Sequence, residues 1–257
     1  MGIVNLTDDS FSGDGLQGDA HRAIDQGLRL VAEGAELLDL GAESSRPGAA
    51  PVSASQELDR LLPVLAGLRD CGVPLSVDTV KPEVMSACLA SGVDLINDIA
   101  ALSAPGALAA VAPSAAAVCL MHMRGEPGTM QDAPRYDDVV IEVVAYLRQR
   151  VAAAEAAGIA ADRIVVDPGF GFGKTLAHNL ALLRGLSELG TGGYPVLAGM
   201  SRKSMLGQIT GRPAGERVAA SVAAALLAAQ RGANILRVHD VAAIRDALMV
   251  LAAFGEE

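Results

Sequence analysis

The sequence predicts an α/β fold, namely a (β/α)8 TIM barrel with its active site at the C-terminal ends of the strands. Eight short apolar runs alternate with eight helical segments. The apolar runs are continuous, as in parallel strands that are buried on both faces. No stretch between them resembles a linker, so residues 1–257 are expected to form a single domain. The alternative is an open, doubly wound sheet with a few extra strands.

The alternation begins at the first residues. Predicted strands cover residues 2–4, 35–40, 74–78, 93–97, 116–121, 164–166, 196–198 and 234–237. Predicted helices cover residues 19–33, 55–70, 82–91, 105–112, 136–157, 176–189, 214–231 and 241–253. Gly34, Gly72, Gly92 and Gly158 follow helical patterns, as helix-ending residues do. Pro82 lies where a first-turn proline belongs.

Composition excludes several classes of partner. The formal net charge is −10, which argues against general binding to nucleic acids or anionic membranes. The cysteines Cys71, Cys88 and Cys119 have no metal-site spacing and suit a reducing compartment. No apolar run approaches the roughly 18 residues of a membrane span, and the first residues lack the basic start of a signal peptide. We therefore expect a cytoplasmic protein.

The most informative loop is Asp167-Pro168-Gly169-Phe170-Gly171-Phe172-Gly173-Lys174-Thr175, which follows a β-branched strand. Its glycines allow a tight turn and the close approach of a ligand. A carboxylate, two aromatic rings and a cation suit a flat amino-heterocycle with an anionic neighbour. Pro168 stands where a phosphate-binding P-loop needs glycine, and the glycine spacing does not fit a dinucleotide-binding fingerprint.

Polar residues follow every predicted strand, where barrels of this kind carry their chemistry. They are Asn5 after strand one, Glu43, Ser45 and Arg46 after strand two, Asp78 and Thr79 after strand three, Asn97 and Asp98 after strand four, His122, Met123 and Arg124 after strand five, Asp167 after strand six, Ser201, Arg202 and Lys203 after strand seven, and Arg237 and His239 after strand eight. A single polar strand end is ordinarily a cap. Eight in succession indicate one shared site.

Taken together, these segments resemble the dihydropteroate synthases, a family of pterin-binding enzymes. The resemblance covers nearly the whole chain. It rests on Gly2-Ile3-Val4-Asn5-Leu6-Thr7, Asp9-Ser10-Phe11-Ser12, Glu43-Ser44-Ser45-Arg46-Pro47-Gly48, Asp78-Thr79, Asn97-Asp98, Met121-His122-Met123-Arg124-Gly125, the 167–174 loop, Ser201-Arg202-Lys203 and Arg237-Val238-His239-Asp240-Val241.

The resemblance implies a transferase of folate biosynthesis. Such an enzyme condenses 6-hydroxymethyl-7,8-dihydropterin diphosphate with 4-aminobenzoate, and it releases diphosphate with the assistance of Mg²⁺ in an SN1-like reaction. By resemblance, Asp78, Asn97, Asp167, Phe172 and Lys203 would bind the pterin. Asn5, Ser45, Arg237 and His239 would bind the diphosphate, with Asn5 as the metal ligand. Ser45, Arg46, Pro47, Phe172, Ser201 and Lys203 would bind 4-aminobenzoate. Catalysis would involve Asn5, Arg46, Asp78, Lys203, Arg237 and His239.

Two departures from the family pattern concern the first loops. Asp8 stands where proline is common, and Ser45 stands where threonine is usual. The alternatives are a catalytically silent pterin-binding paralogue and a pterin-dependent methyltransferase domain. The resemblance also implies sulfonamide inhibition and a homodimer formed through the late helices. The apolar stretch 218–229 could pack either within the monomer or across such a dimer.

Overall fold

Eight parallel strands form the barrel that the sequence predicts. A computed structural model describes residues 1–7, 19–44 and 51–255. In these ranges the strands are β1 (Gly2–Asn5), β2 (Leu38–Gly41), β3 (Leu75–Asp78), β4 (Leu95–Asp98), β5 (Ala117–Met121), β6 (Ile164–Asp167), β7 (Leu197–Ala198) and β8 (Ile235–Leu236).

The barrel is closed by backbone pairing in chain order. Strands β1 to β6 pair consecutively in one sheet, and β7 pairs with β8. Single parallel bridges complete the ring: Val166 pairs with Val196 between β6 and β7, and Gly2 pairs with Val238 between β1 and the end of β8. The predicted (β/α)8 fold is therefore confirmed, and an open doubly wound sheet is excluded.

The helices follow the predicted order with two local differences. They are α1 (Ala20–Ala32), α2 (Ala54–Leu68), α3 (Pro82–Ala90), α4 (Ala107–Val111), α5 (Val139–Ala156), α6 (Leu176–Arg184), α7 (Leu186–Leu189), α8 (Ser204–Thr210), α9 (Val218–Gln230) and α10 (Val241–Phe254). Gly185 divides the predicted sixth helix into two, because glycine is a poor helix former. Helix α8 was not predicted, since its two turns are too short to show a clear apolar period.

The barrel interior has an apolar layer beneath a polar one. Leu95, Cys119, Val165 and Leu197 form a buried cluster inside the ring, packed against Leu37 and Ile235. Side chains two residues apart on a strand share a face. Four of these apolar residues, namely Leu37, Leu95, Val165 and Ile235, are each followed two residues later by a polar residue. These polar residues are, in the same order, Asp39, Asn97, Asp167 and Arg237. The period of the strands therefore aims these polar groups into the C-terminal end of the barrel.

Helices surround this ring and bury their apolar faces against its outer surface. The large core includes Leu30 of α1, Leu61 of α2, Met85 of α3 and Leu147 of α5. None of the helices within the described ranges has the combination of length and apolar composition needed to span a bilayer. With the strands and helices packed against each other, the strand-to-helix loops are left to carry the site.

Candidate active site

A cavity of about 390 Å³ opens at the C-terminal ends of the strands. It brings together predicted site residues from six strand-to-helix loops. These are Asn5, Asp78, Asn97, Asp167, Phe172, Ser201, Lys203, Arg237 and His239. The predicted residues Ser45, Arg46 and Pro47 lie outside the described part of the chain. The cavity shows that the polar strand ends converge, while the role of each residue toward a ligand stays a prediction.

Arg237 is the centre of the polar layer. It donates from Nε to Asp39 Oδ2 at 2.6 Å and from Nη2 to Asp78 Oδ2 at 3.0 Å. Arg237 follows β8, Asp39 lies within β2 and Asp78 ends β3. The guanidinium therefore ties the last strand to the second and third strands, across the point where the barrel closes.

Asp39 was missed as a site residue. Its carboxylate is fully buried and accepts hydrogen bonds from Ser76 Oγ at 2.6 Å and from Asn97 Nδ2 at 3.2 Å, in addition to Arg237. A buried carboxylate is tolerated when it is paired and hydrogen-bonded in this way. Its only signal in the sequence is a lone carboxylate inside an apolar strand, away from the strand ends where the site residues were predicted.

Burial shifts the acidity of the cavity carboxylates. It raises the pKa of Asp78 to about 7, even though the neighbouring Arg237 acts in the opposite direction. Burial also raises the pKa of Asp167, while Lys203 and the Gly169 N–H partly offset it. A ligand that presents N–H donors to these carboxylates would stabilise their charged forms. The cavity is thus poised to bind a donor-rich edge.

Asp167, Phe172 and Lys203 form one wall. The Asp167 carboxylate accepts from the Gly169 N–H at 2.7 Å, which fixes its orientation at the start of the loop. The Lys203 ammonium donates to the Phe170 carbonyl at 2.5 Å and lies 4.6 Å from the centre of the Phe172 ring. An acceptor, a cation and an aromatic face thus adjoin one another, as a flat heterocycle requires.

The loop after β7 is fixed from both sides. Ser201 Oγ accepts from the backbone N–H of His239 at 3.1 Å and lies 2.9 Å from its ring Nδ1. Arg202 forms an ion pair with Asp240, and Arg217 donates to the Arg202 carbonyl at 2.9 Å. These contacts hold Ser201 and the following lysine at the cavity, next to the loop after β8.

Lys174 does not line the cavity, although its place in the 167–175 loop suggested that it would. The sequence indicated a cation for an anionic ligand, but Lys174 is buried away from the cavity lining. Its ammonium donates to the carbonyls of Gly169 and Phe172, both at 2.9 Å, and to that of His122 at 3.3 Å. It is also 3.0 Å from His122 Nδ1. Lys174 is therefore the support of the loop rather than a ligand-binding group.

The protonation state of His122 is consistent with a hydrogen bond from the Lys174 ammonium. Burial, and then the adjacent Lys174, lower the pKa of His122 to about 3, so the neutral ring can accept from the ammonium. Gly169 has φ 68°, and a side chain there would overlap the His122 carbonyl. The loop after β6 consequently lies directly against the loop after β5.

Known proteins resemble the chain over its whole length. The family model for pterin binding enzymes matches residues 1–239. Dihydropteroate synthase of Escherichia coli (strain K12) is 48% identical over 254 residues, covering 98% of this chain and 90% of that protein.

Two solved structures share both sequence and fold with this chain. The Yersinia pestis dihydropteroate synthase, solved with a sulfonamide drug complex, has a TM-score of 0.97 at 47% identity and covers 100% of this chain and 94% of its own. The Xanthomonas albilineans dihydropteroate synthase, in complex with 7,8-dihydropteroate, has a TM-score of 0.88 at 50% identity. The match covers 100% of this chain and 92% of the solved one.

The support role of Lys174 can be tested by Lys174→Met. This change leaves buried carbonyls without their donor, so the free energy of unfolding should fall by about 3 kcal/mol, at about 1–3 kcal/mol for each group left unsatisfied. Lys203→Met is the matched control, since that ammonium meets one carbonyl at the cavity edge, and it should cost less. Urea unfolding measures both variants, and equal losses would contradict the support role.

Proposed function

This chain belongs to the dihydropteroate synthase family, and we propose that it joins 6-hydroxymethyl-7,8-dihydropterin diphosphate to 4-aminobenzoate, giving 7,8-dihydropteroate and diphosphate. The observation that carries this proposal is the pairing of two kinds of group in one cavity. Acceptors suited to a heterocycle edge adjoin an arginine and a histidine suited to a phosphate anion. A substrate with a flat donor-rich ring and a diphosphate would satisfy both.

The pterin would lie against the buried side of the cavity. Its aminopyrimidinone edge offers adjacent N–H donors, and Asp167 supplies two acceptor oxygens for them. Asn97 and Asp78 add an amide and a second carboxylate, and Lys203 can donate to the ring. Asn97 and Asp167 are only 4% and 6% exposed. An analogue without the amino group would leave a buried carboxylate unpaired, so this arrangement would discriminate strongly between ligands.

The diphosphate would be bound by Arg237, His239, Asn5 and Ser45. Arg237 uses Nε and Nη2 for Asp39 and Asp78, and Nη1 makes no hydrogen bond within the described ranges. A guanidinium anchored on one side and able to donate on the other is pre-organised for a phosphate oxygen. The anchoring carboxylates would thus orient the arginine before the leaving group arrives.

The 4-aminobenzoate would bind nearer the cavity mouth. Ser201, Lys203 and Phe172 line the cavity, and Ser45, Arg46 and Pro47 would be supplied by the loop after β2. Because Lys203 is shared with the pterin, it would bring the two substrates together. The aromatic face of Phe172 suits the benzoate ring.

In the proposed reaction, the C–O bond to the diphosphate breaks first and the leaving group takes the electron pair. Arg237 and His239 stabilise the charge that grows on the diphosphate. The pterin ring delocalises the cation left on the methylene carbon, and the amine nitrogen of 4-aminobenzoate then attacks that carbon and loses a proton. The neutral amine needs no strong base. Exclusion of water by the first two loops would prevent trapping of the cation as an alcohol.

A magnesium ion fits this site as a companion of the diphosphate. In the described ranges no three His, Cys, Asp or Glu side chains are grouped as metal ligands, whereas Asn5 lines the cavity. A hard cation that keeps its waters and binds phosphate oxygens needs only one or two protein oxygens. When bound, it would neutralise charge on the leaving group.

We also propose a homodimer formed through the late helices. One face of α9 is buried in the monomer through Ala224, Ala225 and Ala228. The exposed apolar side chains Leu227, Met249 and Phe254 lie on α9 and α10, as in surfaces that mark protein interfaces. Sedimentation at micromolar concentration should give a dimer mass, and a monomer would reject the proposal.

All three cysteines are unpaired, which supports a reducing, cytoplasmic location.

The two alternatives differ from this function in chemistry. The similarity to dihydropteroate synthases along 98% of the chain favours that family over a pterin-dependent methyltransferase domain. A silent paralogue would retain pterin binding without turnover. Asp8 lies outside the described residues, so only an assay separates the silent paralogue from an active enzyme.

Turnover of the pterin diphosphate with labelled 4-aminobenzoate tests the function. We expect labelled dihydropteroate, loss of activity with a chelator and recovery with Mg²⁺. Asp167→Ala should weaken pterin binding about 100-fold or more, because it removes two charge-assisted bonds of about 1.5–3 kcal/mol each.

Asp94→Ala is the control for this experiment. Asp94 accepts from the Leu75 N–H at the opposite end of the barrel, so pterin affinity should be retained. Pterin binding without turnover would identify a silent paralogue. Unchanged pterin affinity in Asp167→Ala would contradict the assignment of the pterin site.

Sulfonamides should inhibit turnover competitively with 4-aminobenzoate. Their aniline ring and ionised sulfonamide group resemble that substrate, so both would need the surface formed by Phe172, Ser201 and Lys203. Steady-state inhibition at several concentrations of 4-aminobenzoate measures the pattern. Inhibition that is not relieved by 4-aminobenzoate would indicate that the second substrate binds elsewhere.

A further inference from the structure

The Ser201 hydroxyl meets His239 at two different points. Its Oγ accepts from the His239 backbone N–H at 3.1 Å and lies 2.9 Å from Nδ1 of the same residue's ring. Ser201 follows β7 and His239 follows β8, and both residues line the main cavity. One hydroxyl therefore fixes both the backbone and the ring of a residue on the neighbouring loop.

The turn that begins at Ser201 is held in a single conformation. Arg202 has φ 57°, a left-handed conformation that residues other than glycine adopt infrequently. Its N–H donates to Ser221 Oγ at 2.9 Å, its Nε donates to Asp240 Oδ2 at 3.0 Å, and Arg217 donates to its carbonyl at 2.9 Å. Such a conformation persists where the surroundings over-determine it. The ion pair with Asp240 also joins the two loops a second time, next to the contact of Ser201.

The hydrogen atoms of the contact between Ser201 and His239 can be assigned by counting. A serine hydroxyl has one hydrogen and two acceptor lone pairs, and one lone pair already accepts the His239 backbone N–H. If the ring carried its hydrogen on Nδ1, that N–H would donate to the second lone pair. The hydroxyl hydrogen would then need another acceptor. Among the residues that the structure describes, Ser201 Oγ has no further hydrogen-bond partner.

The opposite arrangement satisfies the hydroxyl completely. The Ser201 hydroxyl donates to Nδ1, and the single hydrogen of the neutral ring lies on Nε2. Because Ser201 is only 6% exposed, a hydroxyl hydrogen without an acceptor would be costly. An imidazolium ring, which has hydrogens on both nitrogens, would impose the same cost. The contact therefore selects the neutral ring with its hydrogen on Nε2.

The choice of nitrogen matters for an anionic ligand. The oxygens of an ionised phosphate group accept hydrogen bonds, so a neutral ring binds them only through an N–H. A lone pair on Nε2 would repel the same oxygens. With its hydrogen on Nε2 the ring is a donor before the anion arrives, and no rearrangement is needed when charge grows on the leaving group. Arg237, which lines the same cavity, supplies the positive charge.

We propose that Ser201 is a positioning residue for the diphosphate, which acts by holding the His239 ring neutral with its hydrogen on Nε2. This inference rests on the proposed function, which assigns His239 to the diphosphate and gives Ser201 a place only at the 4-aminobenzoate surface. Loss of the Ser201 hydroxyl should therefore weaken the binding of diphosphate and leave the binding of the pterin ring unchanged.

Calorimetry with inorganic diphosphate and Mg²⁺ tests this role. Ser201→Ala should raise the Kd for diphosphate about tenfold, the effect of about one hydrogen bond, because the ring could then rotate and carry its hydrogen on either nitrogen. Ser201→Thr keeps the hydroxyl and should restore the affinity. The Kd for 6-hydroxymethylpterin, which lacks the diphosphate, should not change in either variant. An unchanged Kd for diphosphate in Ser201→Ala would overturn the proposal.

The matched control is Ser91→Ala. It removes a serine hydroxyl that donates to the Ala87 carbonyl at the end of α3, away from the lining of the main cavity. The affinity for diphosphate should be the same as in the unchanged protein.

A double variant separates an effect through His239 from a direct contact of Ser201 with the anion. If Ser201 acts through the ring, Ser201→Ala should cause no further loss of diphosphate affinity once His239→Ala is present, because changes that remove one shared interaction are not additive. A further loss as large as that of the single variant would mean that the hydroxyl itself binds the anion, and the positioning role would be rejected.

Nitrogen NMR of the imidazole rings tests the assignment without any ligand. At a pH of about 8, above the ordinary imidazole pKa of about 6.5, His239 of the unchanged protein should carry its hydrogen on Nε2, and Ser201→Ala should show both neutral forms. The His239 signals are identified by their loss in His239→Ala. A hydrogen on Nδ1, or on both nitrogens, in the unchanged protein would overturn the proposal, even if Ser201→Ala does not fold.

These measurements fail separately from the proposed function. If the protein shows no turnover, the proposed function fails. The position of the ring hydrogen and the affinity for inorganic diphosphate then still decide whether Ser201 positions His239.

Discussion

The ion pairs between Arg237 and the carboxylates of Asp39 and Asp78 are the interaction on which the site depends. The charges lie inside a ring of apolar strands, where an unpaired carboxylate would be costly. Ser76 and Asn97 complete the hydrogen bonds of Asp39. The network therefore satisfies the charges and orients the guanidinium, and it links β8 to β2 and β3 next to the closure with β1. Removal of the arginine would leave two neighbouring carboxylates buried together.

This network is possible because an apolar layer lies beneath it. Leu95, Val165 and Ile235 fill the barrel interior, and the residues two positions later on the same strands are Asn97, Asp167 and Arg237. Within two residues of each of these strands, the inward-facing side chains change from apolar to polar. This change separates the apolar core from the polar groups of the cavity. Two lysines adjoin this polar layer: Lys203 lines the cavity, and Lys174 supports the loop after β6.

Much of this arrangement could be predicted from the sequence, for reasons that differ between residues. Strand ends such as Asp78 and Asp167 were identifiable because continuous apolar runs fix both the strands and the loops that follow them. Asp39 was missed because its partners are distant in the chain, and Arg237 is 198 residues away. Lys174 was misinterpreted because the motif places it near the site, whereas its direction is set by carbonyls of two loops. Helix α8 was missed because two turns give little periodicity.

We propose that one cavity binds a flat ring on its buried side and a departing diphosphate beside Arg237. A crystal structure with a non-hydrolysable methylene-diphosphonate analogue of the pterin substrate tests it most directly. We expect the aminopyrimidinone edge within hydrogen-bond distance of the Asp167 carboxylate and the phosphonates against Arg237 and His239. An analogue bound in the reverse orientation, or outside this cavity, would contradict the account.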